Sequence, residues 1–349
     1  MEQRTVSRRS FFKKAAVLTG AAAGVYSMEE NNLLAFQQRQ GGAPPARGGD
    51  GAPQGGRRGG AEAALPDIPG PVPTLKLGGI EVSRLIAGHN LLVGQAHDSG
   101  SGLIYISALL RAYFTEEKVL ETFAMYEKHG INCSGARMAA NNSAWAKKYM
   151  AQGGKLTWMA GISSENNIPM ALDMGCKLGY VHGNTADAAI RQANGTDLIA
   201  KQLDAIRKAK MAAGICCHSL EVVTSCEKAG IKPDFYLKTY NSINYYMTGG
   251  GGPAGSAGAA SAPDQAAREE AAKAVIDAMA SVKVPWIGFK VLAAGRVSPN
   301  QAFTECYKNG CDGLLVGMYD FQVAAGANLT KKILQEKDKL GRTRPWYES

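Results

Sequence analysis

The sequence predicts an α/β fold, a single (β/α)₈ or TIM barrel, in which helices surround a closed ring of parallel strands. From about Thr74 onward, a short apolar run followed by a helical segment recurs eight times, and eight such units over roughly 275 residues fit a closed barrel. The apolar runs are continuous, as expected for parallel strands buried on both faces. A doubly wound open sheet is the alternative, which is disfavoured because no Gly-rich dinucleotide fingerprint follows the first strand.

The strand candidates are, in chain order, EVSRLIAG, INCS, KLTWMAGI, KLGYVHG, GICCHS, PDFYLKTYN, VPWIGFKVLAAG and CDGLLVGMYD. Helical spacing of apolar residues is clear in the segments between them; EEKVLETFAMYEKH, for example, is stopped by Gly130. Residues 89–114 and the Gly-rich residues 247–264 lengthen two of the loops that follow strands. Both loops belong to the C-terminal face of the barrel, where loop variation carries function.

Residues 1–36 form a predicted twin-arginine signal region. Arg8 and Arg9 precede Ser10-Phe11-Phe12-Lys13 and a modest apolar stretch, which is too short and too weak for a spanning helix. We therefore expect export by the twin-arginine translocation machinery, a periplasmic or extracytoplasmic location, and no stable membrane span in the mature protein.

Residues 37–73 are rich in Gly, Pro, Gln and Arg. A segment with so little apolar surface does not offset its ordering entropy, so it is predicted to be a disordered linker. The folded barrel is expected to occupy residues 74–349.

Composition excludes some classes of function. The chain has 39 Lys and Arg against 30 Asp and Glu, a net charge of +9. No basic run alternates with aromatic residues, so nucleic acid is not an expected partner. The seven cysteines form no C-x-x-C pair and lie mostly in apolar runs, which favours buried free thiols over a disulfide framework.

The start of the predicted barrel, TLKLGGIEVSRLIAG, resembles the opening of the aldo/keto reductases. Further segments agree in order: EEKVLETFAMYEKHGIN, YVHG, VPWIGFKVLAAGRVSP and CDGLLVGM. The resemblance spans most of residues 74–335. It implies a barrel whose floor is capped by an N-terminal β-hairpin, a small-molecule substrate, and NAD(P) as a candidate cofactor.

The resemblance also implies four catalytic positions, of which one is kept. In that family an Asp, a Tyr, a Lys and a His reduce a carbonyl with a nicotinamide. Only the histidine is present, as His182; the Asp position falls at about Gly135, the Tyr position at about Ala140, and the Lys position near Gly161. Since glycine and alanine donate no proton, the ordinary reductase mechanism is not expected.

The ends of the predicted strands offer another set of residues, which should converge on one pocket. We expect His182 and His218 to move protons, and Lys238 and Lys290 to polarise a carbonyl or hold negative charge. A desolvated lysine also forms Schiff bases or acts as a base, whereas its ordinary role is a structural cation, paired with Asp320 or binding an anionic substrate. Candidate substrate-binding residues are Arg137, His89, Asn90, Asn241, Tyr240 and Asp320.

We therefore expect an exported barrel enzyme that acts on a small polar carbohydrate or carbonyl substrate by a non-standard mechanism. In a second hypothesis, His89, His182 and His218 bind a divalent metal and the chain is a metal-assisted lyase, isomerase or hydrolase. Each of these histidines also fits an ordinary hydrogen-bonded role. A third hypothesis is a non-catalytic binding protein on a barrel scaffold.

Overall fold

The structure is a computed structural model that describes residues 66–95, 103–240, 265–292 and 297–347. The predicted signal region, most of the predicted linker and Asn241 lie outside these ranges. Within them, no helix combines the length and the apolar character needed to cross a membrane.

Eight parallel strands close into a barrel, as the sequence predicted, and the open-sheet alternative is excluded. Two antiparallel strands, β1 and β2, precede them. The strands are β1 (Thr74–Leu77), β2 (Ile80–Ser83), β3 (Leu85–Gly88), β4 (Cys133–Ala136), β5 (Thr157–Ile162), β6 (Leu178–Val181), β7 (Ala212–Cys217), β8 (Phe235–Thr239), β9 (Trp286–Phe289) and β10 (Gly313–Gly317). Strands β3 to β10 follow one another round the barrel, and β10 closes it against β3.

Helices pack around the strands. They are α1 (Leu103–Tyr113), α2 (Glu116–Lys128), α3 (Ala140–Ala151), α4 (Ile168–Asp173), α5 (Gly183–Ala189), α6 (Gly195–Lys208), α7 (Leu220–Lys228), α8 (Gln265–Ala280), α9 (Pro299–Lys308) and α10 (Asp320–Gln335). Short 3₁₀ turns lie at Leu91–Val93, Glu165–Asn167 and Lys337–Lys339. The loop that follows β3 therefore carries an additional helix, α1, before the expected α2.

The hairpin β1–β2 closes the amino-terminal end of the barrel. Its strands pair in register from Thr74 with Ser83 to Leu77 with Ile80. Leu75, Leu77 and Val82 are buried and pack with the residues that fill the barrel interior. The hairpin cap implied by the resemblance is thus present, and it acts as an apolar plug.

Each barrel strand has one face toward the barrel axis and one toward the helices. On β8, Phe235 and Leu237 belong to the interior cluster, whereas Tyr236 packs in the layer between sheet and helices. Both layers are apolar, which explains why the strands read as continuous apolar runs in the sequence. The alternation also decides which strand-end side chains reach the axis.

The last residues of the predicted linker contact the barrel. Val72 is fully buried, and its N–H donates to the Gly130 carbonyl at 3.1 Å. The N–H of Ile68 donates to Asn328 Oδ1 at 3.1 Å, and Lys331 Nζ donates to the Ile68 carbonyl at 3.0 Å. Residues 67–72 are therefore fastened beside the amino-terminal end of the barrel.

Charged residues are buried at this same end. Asp312 has no exposed surface; it accepts from Arg342 at 2.7 Å and pairs with Arg344. It also accepts from the backbone N–H of Trp286 at 2.9 Å and from that of Tyr347 at 3.0 Å. The C-terminal segment is thereby fixed across the base of the barrel.

All seven cysteines are buried and none forms a disulfide, so the expectation of buried free thiols is confirmed. Burial raises the pKa of Cys216 and Cys176, each to about 12. These thiols stay protonated near neutral pH and are poor nucleophiles.

Candidate active site

A histidine–aspartate pair lies at the carboxyl end of β6 and β7. His218 follows β7, and its Nδ1 is 2.6 Å from Asp187 Oδ2. Both side chains are nearly buried, with 10% and 13% of their surface exposed. A carboxylate on Nδ1 fixes the neutral tautomer that has its free lone pair on Nε2, which makes Nε2 the basic nitrogen.

Local structure holds the carboxylate in place. Asp187 lies on α5, the short helix that follows β6, and it also accepts from the backbone N–H groups of His218 at 3.1 Å and Ser219 at 3.0 Å. Burial opposes its ionisation, but the hydrogen bonds from His218 and Ser219 lower the pKa of Asp187 below its usual range. Asp187 is therefore an ionised, preorganised acceptor for the histidine.

His182 stands next to this pair as the residue that precedes α5. Its backbone N–H donates to the Ile162 carbonyl at 2.9 Å, which fixes the end of β6 against β5. Burial lowers the pKa of His182, and the charges of His218, Arg137 and Lys290 lower it further. At neutral pH His182 is thus an uncharged imidazole, able to donate or accept one hydrogen bond.

Lys290 follows β9 and lies within electrostatic range of Asp187 and His182. Its side chain is half-buried, and burial lowers its pKa to about 8, against the attraction of Cys216 and Asp187. The rings of His218 and Phe289, the residue before Lys290, are 5.4 Å apart. His218 thus contacts Asp187 directly, and His182 and Lys290 lie within electrostatic range of Asp187; we call these four residues the acid–base cluster.

Arg137 and His89 lie on the neighbouring strands. Arg137 is exposed after β4, and its backbone N–H donates to Asn142 Oδ1 at 2.8 Å. His89 and Asn90 are half-buried after β3, where the Asn90 carbonyl accepts from the Gln95 N–H at 2.8 Å. Arg137 is within electrostatic range of His182, and its role in orienting a substrate stays a prediction.

Two of the positions where the resemblance implies catalytic residues are filled by neighbours. A Cβ added at Gly135 would lie 3.0 Å from His89 Nδ1. At Gly161 it would lie 3.0 Å from Tyr180 Oη and 3.3 Å from His182 Cδ2. A side chain at either position would require these neighbours to shift by a few tenths of an ångström.

Lys238 does not join the acid–base cluster. On β8 it follows the axis-facing Leu237, and it is fully buried behind the cluster. Its Nζ donates to the His218 carbonyl at 2.8 Å, to Thr239 Oγ1 at 2.7 Å and to the Thr239 carbonyl at 3.1 Å. Desolvation lowers the pKa of Lys238. The three hydrogen bonds of Lys238 Nζ go to neutral acceptors. Lys238 therefore stabilises the backbone at His218.

Tyr240 and Asp320 also lie elsewhere. Tyr240 packs in the outer layer against the Trp286 ring, and its hydroxyl accepts from Asn309 at 2.6 Å. Asp320 starts α10, where it accepts from Tyr113 Oη at 2.7 Å and Lys118 Nζ at 3.2 Å. The expected pairing of Asp320 with Lys238 or Lys290 is thus replaced by pairing with residues of α1 and α2.

The described part of the chain offers no metal centre. Across its four ranges, no three His, Cys, Asp or Glu side chains come together as a metal ion would require. His89, His182 and His218 therefore form no ligand triad, and the hypothesis of a metal-assisted reaction receives no support from the geometry.

A groove of mixed lining opens beside His182. It has a volume of about 630 Å³, and its lining includes apolar residues such as Val181, Leu198 and Ile199. Hydroxyl and amide groups contribute as well: Ser163, Ser164, Asn184, Thr185, Gln192 and Gln202. Lys201 and Glu165, 3.7 Å apart, also line it. Of the acid–base cluster, His182 is the member that contributes to this lining.

Sequence reasoning missed Asp187. It is an isolated acidic residue in the Ala-rich helix GNTADAA, where a solvent-exposed position is the ordinary interpretation. The available signal was its place five residues after His182, within the short helix Gly183–Ala189 that leaves the barrel's carboxyl end. Only the packing of α5 against β7 shows that this carboxylate meets His218.

The comparisons with known proteins concern the fold. No protein-family model and no curated protein matches the sequence. The structure is similar to a putative aldo-keto reductase from Pseudomonas aeruginosa, with a TM-score of 0.50 and 15% identity over 75% of this chain and 95% of that one. It is also similar to the aldo-keto reductase AKR11C1 from Bacillus halodurans in its holo form, with a TM-score of 0.51 and 12% identity over 80% and 99% of the two chains. At such identities the shared property is the fold, a barrel like that of the aldo-keto reductases.

Proposed function

We propose that the protein is an enzyme that moves protons on a small polar carbonyl compound, of the carbohydrate class, at the carboxyl end of the barrel. The observation that carries the proposal is the 2.6 Å contact between His218 Nδ1 and the ionised Asp187. It gives His218 the geometry of a general base or acid, because its tautomer and orientation are fixed by a buried carboxylate.

The remaining members of the acid–base cluster complete the assignment. Neutral His182 donates or accepts the second proton, and Lys290 stabilises negative charge that develops on the carbonyl oxygen. Arg137 orients the substrate from the exposed end of β4. The carbohydrate class is proposed from the hydroxyl and amide groups that form part of the lining of the groove beside His182.

The residues present do not fit carbonyl reduction by the usual route with a nicotinamide. Ala140 is exposed and carries no proton, and Gly161 is enclosed by Tyr180 and His182. Burial raises the pKa of Tyr180 far above its usual value, so its hydroxyl is a weak proton donor. We therefore assign no step to NAD(P). Export by the twin-arginine route, with a periplasmic or extracytoplasmic site of action, is part of the proposal and rests on residues 1–36 alone.

Proton exchange in deuterated water tests the function directly. The purified chain, without added metal or nicotinamide, is incubated with small aldoses and ketoses, and the ¹H NMR signal of the proton beside the carbonyl is followed. We expect the signal to decay with the wild type and to persist with His218→Gln. Exchange that is absent over the whole panel, or unchanged in His218→Gln, would overturn the proposal. His129→Gln, which changes a histidine at the end of α2, is the matched control.

A further inference from the structure

The backbone of Lys290 differs from that of an ordinary strand end. Its φ is +56°, in the left-handed region that residues other than glycine rarely adopt. Among the described non-glycine residues, Lys210 alone shares this feature, with a φ of +60°. Lys210 is exposed and follows the C-cap of α6, where a left-handed residue is usual. Lys290 ends a barrel strand, so the same explanation does not apply to it.

The unusual φ of Lys290 interrupts the regular alternation of side chains at the end of β9. Ile287 and Phe289 of β9 face the axis, so a regular continuation would point residue 290 toward the helices. Lys290 is half-buried and lies within electrostatic range of Cys216, Asp187 and His182, and the ring of its neighbour Phe289 is 5.4 Å from that of His218. A left-handed residue costs about 1–2 kcal/mol, and such strain is typical of functional positions.

We propose that the amine of Lys290 forms an imine with the carbonyl group of a small polar aldehyde or ketone. The inference rests on the proposed function and deepens it, because it makes the enzyme–substrate contact covalent. The nitrogen attacks the carbonyl carbon, a C–N bond forms, and a proton passes from nitrogen to oxygen. The resulting carbinolamine loses water to give the imine, and hydrolysis later returns the amine and the carbonyl. No electrons are gained or lost.

The surroundings of Lys290 suit each of these steps. Attack needs the neutral amine. With a pKa of about 8, Lys290 is neutral in roughly a tenth of the protein molecules at pH 7. Loss of water needs a proton donor, for which His182 and His218 are in place. Once the imine is protonated, it draws electrons from the adjacent carbon, whose proton the His218–Asp187 pair then removes.

Reductive trapping tests the imine. The full chain is incubated with glycolaldehyde or dihydroxyacetone and sodium cyanoborohydride, which reduces an imine to a stable secondary amine, and the labelled lysine is located by peptide mass spectrometry. We expect labelling at Lys290 to be at least 10-fold faster than at Lys210, which provides an internal control. Lys290→Arg should remove this label, whereas Lys210→Arg should leave it unchanged.

The outcomes separate this inference from the proposed function. Equal labelling of Lys290 and Lys210 in the wild type overturns the imine whether or not any variant folds. If proton exchange persists without preferred labelling, the imine is wrong and the proposed function stands. If Lys290 is labelled preferentially but no proton exchanges, the imine stands and the proposed function is wrong.

Discussion

The two ends of the barrel bury different kinds of charged and titratable groups. At the amino-terminal end, one carboxylate, Asp312, is shared by two guanidinium groups, Arg342 and Arg344. At the carboxyl end, Asp187 lies with two histidines and Lys290 in the acid–base cluster. Guanidinium groups stay charged at neutral pH, whereas imidazole and amine groups serve enzymes as proton donors and acceptors. The proposed function therefore places the chemistry at the carboxyl end and a stabilising role at the amino-terminal end, as is general in barrels.

The largest effect is expected when the carboxylate is removed from the amino-terminal end. Asp312→Asn leaves two buried guanidinium groups without a counter-charge, so the free energy of unfolding should fall by about 3–5 kcal/mol. Urea denaturation measures the change. In Asp173→Asn, the exposed pair with Lys147 is lost, and the effect should stay below about 1 kcal/mol. Folded Asp312→Asn protein should keep its rate of proton exchange; a loss of rate without a loss of stability would contradict the division.

The matching change at the other end is Asp187→Asn. Asparagine keeps the shape but no longer stabilises the protonated ring or selects its tautomer, so the exchange rate should fall by about 10²–10⁴-fold. ¹⁵N NMR of His218 should show the tautomer populations shift, a change that a purely structural role would not cause. Asp204→Asn, at an exposed pair with Arg207, is the control. A full rate with a stability loss like that of Asp312→Asn would show that Asp187 belongs with the structural charges.

The sequence predicts the fold well because every unit of the barrel repeats the same physical pattern. Strands buried on both faces have to be apolar throughout, and the eight runs agree with β3 to β10. The candidate site was predicted only in part. His182 and His218 lie two residues after the axis-facing Tyr180 and Cys216, and their position at strand ends was enough to place them among the candidates.

Choosing residues by their position at strand ends also selected residues that face away from the axis. Because Leu237 faces the axis, Lys238 lies on the other face of β8, and so does Tyr240, two residues further along. Counting the alternation along β8 would have separated them from the site. No count reveals Lys290, since its left-handed φ breaks the alternation, or Asp187, whose role depends on how α5 packs.

A smaller effect, on the free energy of unfolding, is expected when the partly buried positive charge of Lys290 is removed. Because the pKa of folded Lys290 is about 8, below the usual 10.5, the unfolded chain binds its proton more tightly between these values. The stability of the wild type should therefore rise from pH 8 to pH 10.5. Lys290→Met should be more stable than the wild type at pH 7, by about 1–3 kcal/mol, and this gain should shrink at higher pH. Denaturation at pH 7 and pH 9.5 measures it, with Lys210→Met as control; an equal gain at both pH values would exclude titration as its cause.

The smallest expected effect concerns the segment that is fastened beside the amino-terminal end. Asn328 is buried; it accepts from the Ile68 N–H at 3.1 Å and donates to Asp67 Oδ1 at 2.9 Å. Asn328→Ala removes both hydrogen bonds and should lower the free energy of unfolding by about 1–2 kcal/mol, with faster proteolysis near Ile68. Asn194→Ala, at an exposed position whose side chain caps no helix, should change neither quantity. Because the contact lies at the end assigned to stability, proton exchange should proceed at the wild-type rate, and a slower rate would mean that the two ends are coupled.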